Sequence, residues 1–258
     1  MLELVLVSLL SSVLEFLPIS STLHLRLLFK FFNIENLEVF LIFSQLGITV
    51  SLLIYYRKLV VNILLTFFSE KKTRIFCYKI AFLCFVSTVF GLFITKITES
   101  FRYNTKTSAI SLILLGIVMV FIEKIKNKRN KIDDMKSLSW KQNFFIGTMQ
   151  SFSMIPGVSR SGVTICAGLF TNMTKEASIQ YSFFVSVFIN ILSCIFDTRN
   201  SYDAIKSQQF STVFIIFILN FIFSLFFIKK VLNFLLEVRL KFFGYYRVII
   251  GLLMLLVL

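Results

Sequence analysis

Six stretches of this chain approach the length of a bilayer-spanning helix with few charges: Leu37–Tyr56, Cys77–Thr95, Ser108–Ile122, Ser178–Phe196, Ser211–Ile228 and Phe243–Leu258. A bilayer core asks for about 20 apolar residues per helix. A soluble domain of this size could not hide so much apolar surface: 57% of residues are hydrophobic and 33 of the 258 are Phe. The chain is therefore expected to be an all-α polytopic membrane protein. The first apolar run, Leu2–Leu17, carries Glu3 and Glu15 and lacks a basic start, so it reads as part of the fold and not as a cleavable signal peptide. The formal charge of +14 lies between apolar runs, which fits a protein facing anionic lipid and not a nucleic-acid binder. Cys77, Cys84, Cys166 and Cys194 sit inside apolar stretches without CxxC spacing and read as reduced packing residues.

Two further apolar segments are interrupted. Leu2–Leu17 runs into Pro18-Ile19-Ser20-Ser21-Thr22 and resumes near Leu25–Phe32; Phe144–Ile155 runs into Pro156-Gly157-Val158-Ser159-Arg160-Ser161-Gly162 and resumes as Val163–Phe170. Each half is too short to span, and the breaks hold the chain's only two prolines. A helix–break–helix hairpin that enters and leaves on one side fits both, because non-helical backbone at membrane depth must be buried in protein or line a wet cavity. Each hairpin precedes three spanning stretches. Three is odd, so the second unit starts on the opposite face, which predicts an inverted repeat. The expected architecture is a single membrane domain over 1–258: six transmembrane helices plus two re-entrant hairpins, in repeats of approximately 1–122 and 143–258 joined by the basic loop 123–142.

Loop charge tests the orientation. The five loops between spans carry net charges of +4, +2, +4, 0 and +3 in order. That alternation puts loops one, three and five in the cytoplasm and both termini on the outer side.

The breaks hold the reactive inventory. Glu15 is an acid in an apolar run, followed within nine residues by Ser20, Ser21, Thr22 and His24, the only His in the chain. Ionisable groups at membrane depth are functional hypotheses by default. In the second break, flanking glycines allow a tight turn, and a helix restarting near Gly162 offers free amides and a positive dipole end to an anion. Arg160 adds a planar, permanently charged fork suited to phosphate, with Ser159, Ser161 and Thr164 as hydroxyl donors. Each also has an ordinary structural role open to it: Glu15 as a helix-end carboxylate, His24 as a packed imidazole, Arg160 as a snorkelling side chain on a capped helix start. Taken together they suit phosphoryl transfer from a lipid diphosphate. Arg160 stabilises phosphoryl oxygens, a serine hydroxyl or a water attacks, and His24 moves protons. Ser21 is favoured over Ser20 as nucleophile because it lies nearer His24 in sequence.

The segments Glu15-Phe16-Leu17-Pro18-Ile19-Ser20-Ser21-Thr22-Leu23-His24 and Pro156-Gly157-Val158-Ser159-Arg160-Ser161-Gly162-Val163-Thr164 resemble the two signature regions of the bacterial undecaprenyl-diphosphatase family, whose members also confer bacitracin resistance. Gln45-Leu46-Gly47, Gln150, Tyr181-Ser182-Phe183 and Tyr246-Arg247 extend the resemblance over essentially the whole chain. It implies dephosphorylation of undecaprenyl diphosphate to the monophosphate carrier for cell-wall synthesis, in the bacterial inner membrane, with a divalent cation, magnesium or calcium. It further implies that Glu15 is an acidic site residue and the metal ligand. By the same resemblance Ser20, Ser21 and Thr22 form the hydroxyl cluster, His24 is the essential His and Arg160 the phosphate-binding Arg. Ser159, Ser161, Gly162 and Thr164 complete the phosphate site. The expected partners are the lipid substrate, membrane lipid and, compatibly with this architecture, a second copy in a homodimer; nucleic acid is not expected. The chain departs from the family where an acid (Glu or Gln) followed by Gly is usual four residues before Glu15, having Ser11 and Ser12 there, and has Leu23 where a Gly usually precedes the His.

One alternative comes from another class: a transporter or flippase for a polyprenyl phosphate, suggested by the inverted repeat. A phosphatidic-acid-type phosphatase is excluded. That class needs a His six residues after the Arg of its Ser-Arg pair, and this chain has Cys166 there.

Overall fold

A computed structural model describes residues 2–98, 104–122 and 132–257. Part of the loop-charge argument, on residues 99–103 and 123–131, lies outside the described residues. The named elements are all helical: α1 (Leu2–Leu14), α2 (Ser21–Phe32), α3 (Leu37–Tyr55), α4 (Arg57–Thr66), α5 (Lys71–Thr98), α6 (Thr105–Ile122), α7 (Trp140–Ser151), α8 (Arg160–Phe170), α9 (Lys175–Asn200), α10 (Tyr202–Lys206), α11 (Phe210–Glu237) and α12 (Leu240–Val257). Among the described residues, α3, α5, α6, α9 and α11 are long and apolar enough to cross a membrane. The sixth expected stretch, Phe243–Leu258, falls on α12 as far as Val257, with Leu258 outside the described residues, and α12 packs along α6. Both α5 and α11 run for 28 residues, past the apolar stretches that the sequence marks. At 1.5 Å per residue each is about 42 Å long, the thickness of a bilayer including its headgroups.

The second break begins before Pro156, tightening into a 3₁₀ turn at Phe152–Met154. The first break follows Leu14 through turns closed by Glu15 N–H to Ser11 O at 3.0 Å and Phe16 N–H to Val13 O at 3.2 Å. The flanking helices α1, α2, α7 and α8 have 13, 12, 12 and 11 residues. None exceeds about 20 Å, well short of a 30 Å hydrocarbon core.

Polarity is arranged inside out. Large apolar side chains such as Phe85, Phe93, Leu114, Ile195, Phe226 and Ile249 face outward, while Ser8, Ser11, Ser12, Ser44, Asn143, Asn190, Asn220 and Arg247 are buried. Lipid outside and a polar interior explain that reversal better than water does. Helix order recurs along the chain, and several packings recur with it: α5 lies on α7 as α11 lies on α1, and α3 meets α9. The recurrence is uneven, since α3 packs extensively on α11 while α5 barely touches α9. The loops are less loop-like than the sequence suggests. The amphipathic α4 occupies the first, with Val61, Leu64 and Leu65 exposed and none of its own residues buried.

Candidate active site

The two breaks meet. Ser161 Oγ donates to Leu17 O at 3.3 Å, and a Cβ placed on Gly162 would sit 3.3 Å from the Pro18 Cβ. Around that meeting point the sequence-predicted residues separate into three groups.

The first group surrounds Glu15. One carboxylate oxygen, Oε1, pairs with Arg160 Nη2, and the other, Oε2, accepts from Ser21 Oγ at 2.6 Å. Both partners of the ion pair are about four-fifths buried, with side-chain exposures of 18% and 20%. Arg160 also donates through Nη1 to Asn190 Oδ1 on α9. With the Gln45 amide oxygen turned toward the guanidinium, that oxygen on α3 lies 3.0 and 3.1 Å from Nη1 and Nη2; the orientation is assigned from the bonding network. Glu15, Arg160 and Asn190 line a small cavity together with Ser161, Ser186, Phe16, Leu52 and Phe183, so charged, polar and apolar groups meet in one place.

The second group frames the second break. Ser159 caps α8, accepting from Gly162 N–H at 3.2 Å, and its hydroxyl lies 3.2 Å from that of Ser161. Gly157 has φ +90° and a Cβ there would lie 2.2 Å from Ser108 O, so only glycine fits. Thr164 donates to Arg160 O at 2.8 Å within its own helix, so its hydroxyl hydrogen points away from the cluster. Thr22, at the other break, is exposed.

The third group is His24, and it does not touch Ser21 through any of its ring bonds. Nδ1 bonds Ser20 O at 2.8 Å and Nε2 bonds the Tyr246 hydroxyl at 2.7 Å. Ser21 is thus bonded to Glu15 and not to His24, the nearer of the two in sequence. Ser20 takes φ 74°, a left-handed conformation that costs a non-glycine residue about 1–2 kcal/mol.

Three contributors carried no assigned role in the sequence reading. Asn190 and Gln45 are neutral amides within apolar stretches, and that polarity was the signal available. Arg247 is fully buried and donates to Leu112 O (3.3 Å), Pro18 O (3.1 Å) and Gly157 O (3.0 Å), tying both breaks to one guanidinium. The residues that depart from the family pattern have other employment. Ser11 is buried 3.3 Å from Ser44, Ser12 donates to Ser8 O at 2.8 Å, and Leu23 packs with Ala109, Leu112 and Met254.

The family described as bacitracin resistance protein BacA matches residues 4–253. An undecaprenyl-diphosphatase of Thermoanaerobacter sp. (strain X514) is 34% identical over 245 residues, covering 94% of this chain and 91% of the relative. An undecaprenyl-diphosphatase of Acinetobacter baumannii (strain SDF) is 30% identical over 244 residues, covering 93% and 89%. Undecaprenyl-diphosphatase 3 of Acinetobacter baylyi is 29% identical over 246 residues, covering 94% and 92%.

Proposed function

The chain belongs to the bacitracin resistance protein BacA family, and from that premise we infer that it hydrolyses undecaprenyl diphosphate to undecaprenyl phosphate and inorganic phosphate. The observation that carries the reading is the pairing of Glu15 with both Arg160 and Ser21, which joins an acid and a hydroxyl from one break to a cation from the other. Nothing found favours the transporter alternative, and the named relatives are diphosphatases.

The chemistry follows from the contacts. A diphosphate carries more charge than Glu15 and competes for the Arg160 fork, which Asn190 and Gln45 keep aimed into the cavity. The Ser21 oxygen attacks the terminal phosphorus while Glu15 accepts its proton. The bridging P–O bond breaks, and undecaprenyl phosphate leaves with its electron pair. A water then displaces Ser21 from phosphorus; Glu15 returns its proton to the Ser21 oxygen, and the oxygen and protons of the water leave with the phosphate. Arg160 stabilises charge on the phosphoryl oxygens throughout.

A divalent cation is part of the proposal. Among the described residues no three His, Cys, Asp or Glu gather around one point, and Glu15 is the carboxylate on the cavity wall. That set fits magnesium, which is commonly held by one or two carboxylates together with substrate phosphate oxygens. Glu15 would hold it with the diphosphate, and the ion would neutralise phosphoryl charge.

The proposed setting is the bacterial inner membrane, with α3, α5, α6, α9, α11 and α12 spanning it. The α1–α2 and α7–α8 hairpins are re-entrant from opposite faces as halves of an inverted repeat, and both termini lie outside. The support is the half-length of the hairpin helices, the alternating loop charge and the two breaks meeting inside the protein.

The test is phosphate release by purified protein given undecaprenyl diphosphate and magnesium, with and without chelator, for the native chain and Ser11→Glu. Chelator-sensitive release by the native chain is expected, and no release from either chain would refute the assignment.

A further inference from the structure

A charged residue buried among apolar helices without a carboxylate partner is costly, by several kcal/mol even after relaxation. Among the described residues Arg247 is such a residue: its exposure is 0% and its hydrogen-bond acceptors are three backbone carbonyls. Two of those carbonyls belong to Pro18 and Gly157, one in each break, where helix interruption leaves backbone oxygens without intrahelical donors. One planar fork therefore satisfies both interruptions and sets the distance between them. No single neutral side chain has enough donors in that geometry, and Lys is a point donor.

The preceding residue acts on the same hairpin. The Tyr246 ring stacks on His24 with centroids 5.8 Å apart and planes at 18°, and its hydroxyl is 2.7 Å from Nε2. The other ring nitrogen, Nδ1, faces the Ser20 carbonyl at 2.8 Å, and a carbonyl can only accept. For a neutral imidazole this fixes the tautomer. The proton sits on Nδ1, and Nε2 is a bare acceptor that receives the Tyr246 hydroxyl hydrogen. The strained Ser20 backbone presents the carbonyl that completes the arrangement.

We propose that Tyr246 and Arg247, consecutive on α12, are positioning residues for the composite site: the guanidinium holds the two breaks in register, and the phenol holds His24 with its proton on Nδ1. Neither is assigned contact with the diphosphate. They act through Pro18, Gly157 and His24, so that Glu15 and Arg160 meet and the imidazole keeps one tautomer and one orientation against the Ser20 turn. The inference rests on the proposed diphosphatase reading for its consequence in turnover, and on geometry alone for its consequence in the ring.

That separation makes it testable. His24 is the only histidine, so nitrogen-15 labelling of histidine gives the imidazole of one residue in the full-length protein in lipid nanodiscs. The native spectrum is expected to show a proton-bearing Nδ1 and a bare Nε2. Tyr246→Phe keeps the ring stack but removes the hydroxyl, so the two nitrogens should move toward tautomeric averaging. In turnover that variant should lose about tenfold in kcat with little change in KM, through a small misplacement of the Ser20–Ser21 turn that His24 holds. Arg247→Lys should move the same signals by releasing Pro18, and lower kcat about a hundredfold through misplacement of the reacting groups. If Arg247→Lys does not fold, Tyr246→Phe alone decides. A native ring protonated on Nε2, or nitrogen signals unchanged by the folded variants, overturns the positioning inference whatever the turnover. Signals that respond as expected in a protein whose native chain releases no phosphate overturn the diphosphatase reading, and leave the positioning of His24 supported.

Discussion

The two hairpins share a plan and are built differently. In the second, α8 is capped by Ser159, its residues from Ser161 to Gly168 are all buried, and Gly157 supplies the positive φ of the turn. In the first, Ser20 takes a left-handed conformation that suits glycine, its side chain makes no cap, and α2 exposes Thr22, Leu27 and Phe31. The second hairpin obeys its own local rules, takes one outside bond from Arg247 at Gly157 O, and can hold an anion-binding frame still. The first violates those rules and is held from outside, by Arg247 on Pro18, Tyr246 on His24 and Leu23 against α6 and α12. Local strain of this kind persists where surrounding structure over-determines it, and it concentrates at reactive sites. The contrast therefore divides the work: one hairpin binds, the other reacts.

The largest effect is expected at the rigid hairpin. Gly157→Ala would put a methyl 2.2 Å from Ser108 O at φ +90°. Left-handed strain and overpacking together should cost about 4 kcal/mol, read as a large drop in thermal stability in detergent. Survival of that variant at native stability would remove the claim that the second break is the fixed frame. Next comes Arg160→Lys, which keeps charge and loses the fork; kcat/KM should fall about a hundredfold while the protein stays folded.

Glu15→Gln is expected to abolish the response to magnesium with the fold retained, in a titration of phosphate release against the metal. If the variant still responds, Glu15 only orients Ser21 and Arg160. The smallest effects set the hairpins directly against each other. Ser159→Ala should lower stability by about 1 kcal/mol through its lost cap. Ser20→Gly should raise stability by about the same amount through relief of its backbone, while weakening turnover if its hydroxyl meets phosphate. Thermal melts of the pair that moved in the same direction would erase the distinction.

Much of this was legible from residue order. Proline at 18 and 156 marks both interruptions because a missing N–H cannot be disguised, and Glu15 and Arg160 stand out as charges in apolar surroundings. Helix ends were less legible: α5 and α11 continue through Lys-bearing segments because those residues favour helix as well as water. The partners were least legible. Arg247 binds carbonyls, which every residue has, so its targets leave no mark in sequence. His24 and Tyr246 are 222 residues apart, and the hydroxyl that meets Glu15 belongs to Ser21 through the turn taken by Ser20, a conformation that its side chain does not announce.

The central claim is that the two breaks form one site around one diphosphate. A double-mutant cycle of Glu15→Gln and Arg160→Lys on kcat/KM, in magnesium with undecaprenyl diphosphate, tests it most directly. Residues acting as a unit lose their effect together, so the double variant should be little worse than the more damaging single one. Losses that multiply, leaving the double variant near the product of the two single effects, would mean that Glu15 and Arg160 act independently and would contradict the composite site.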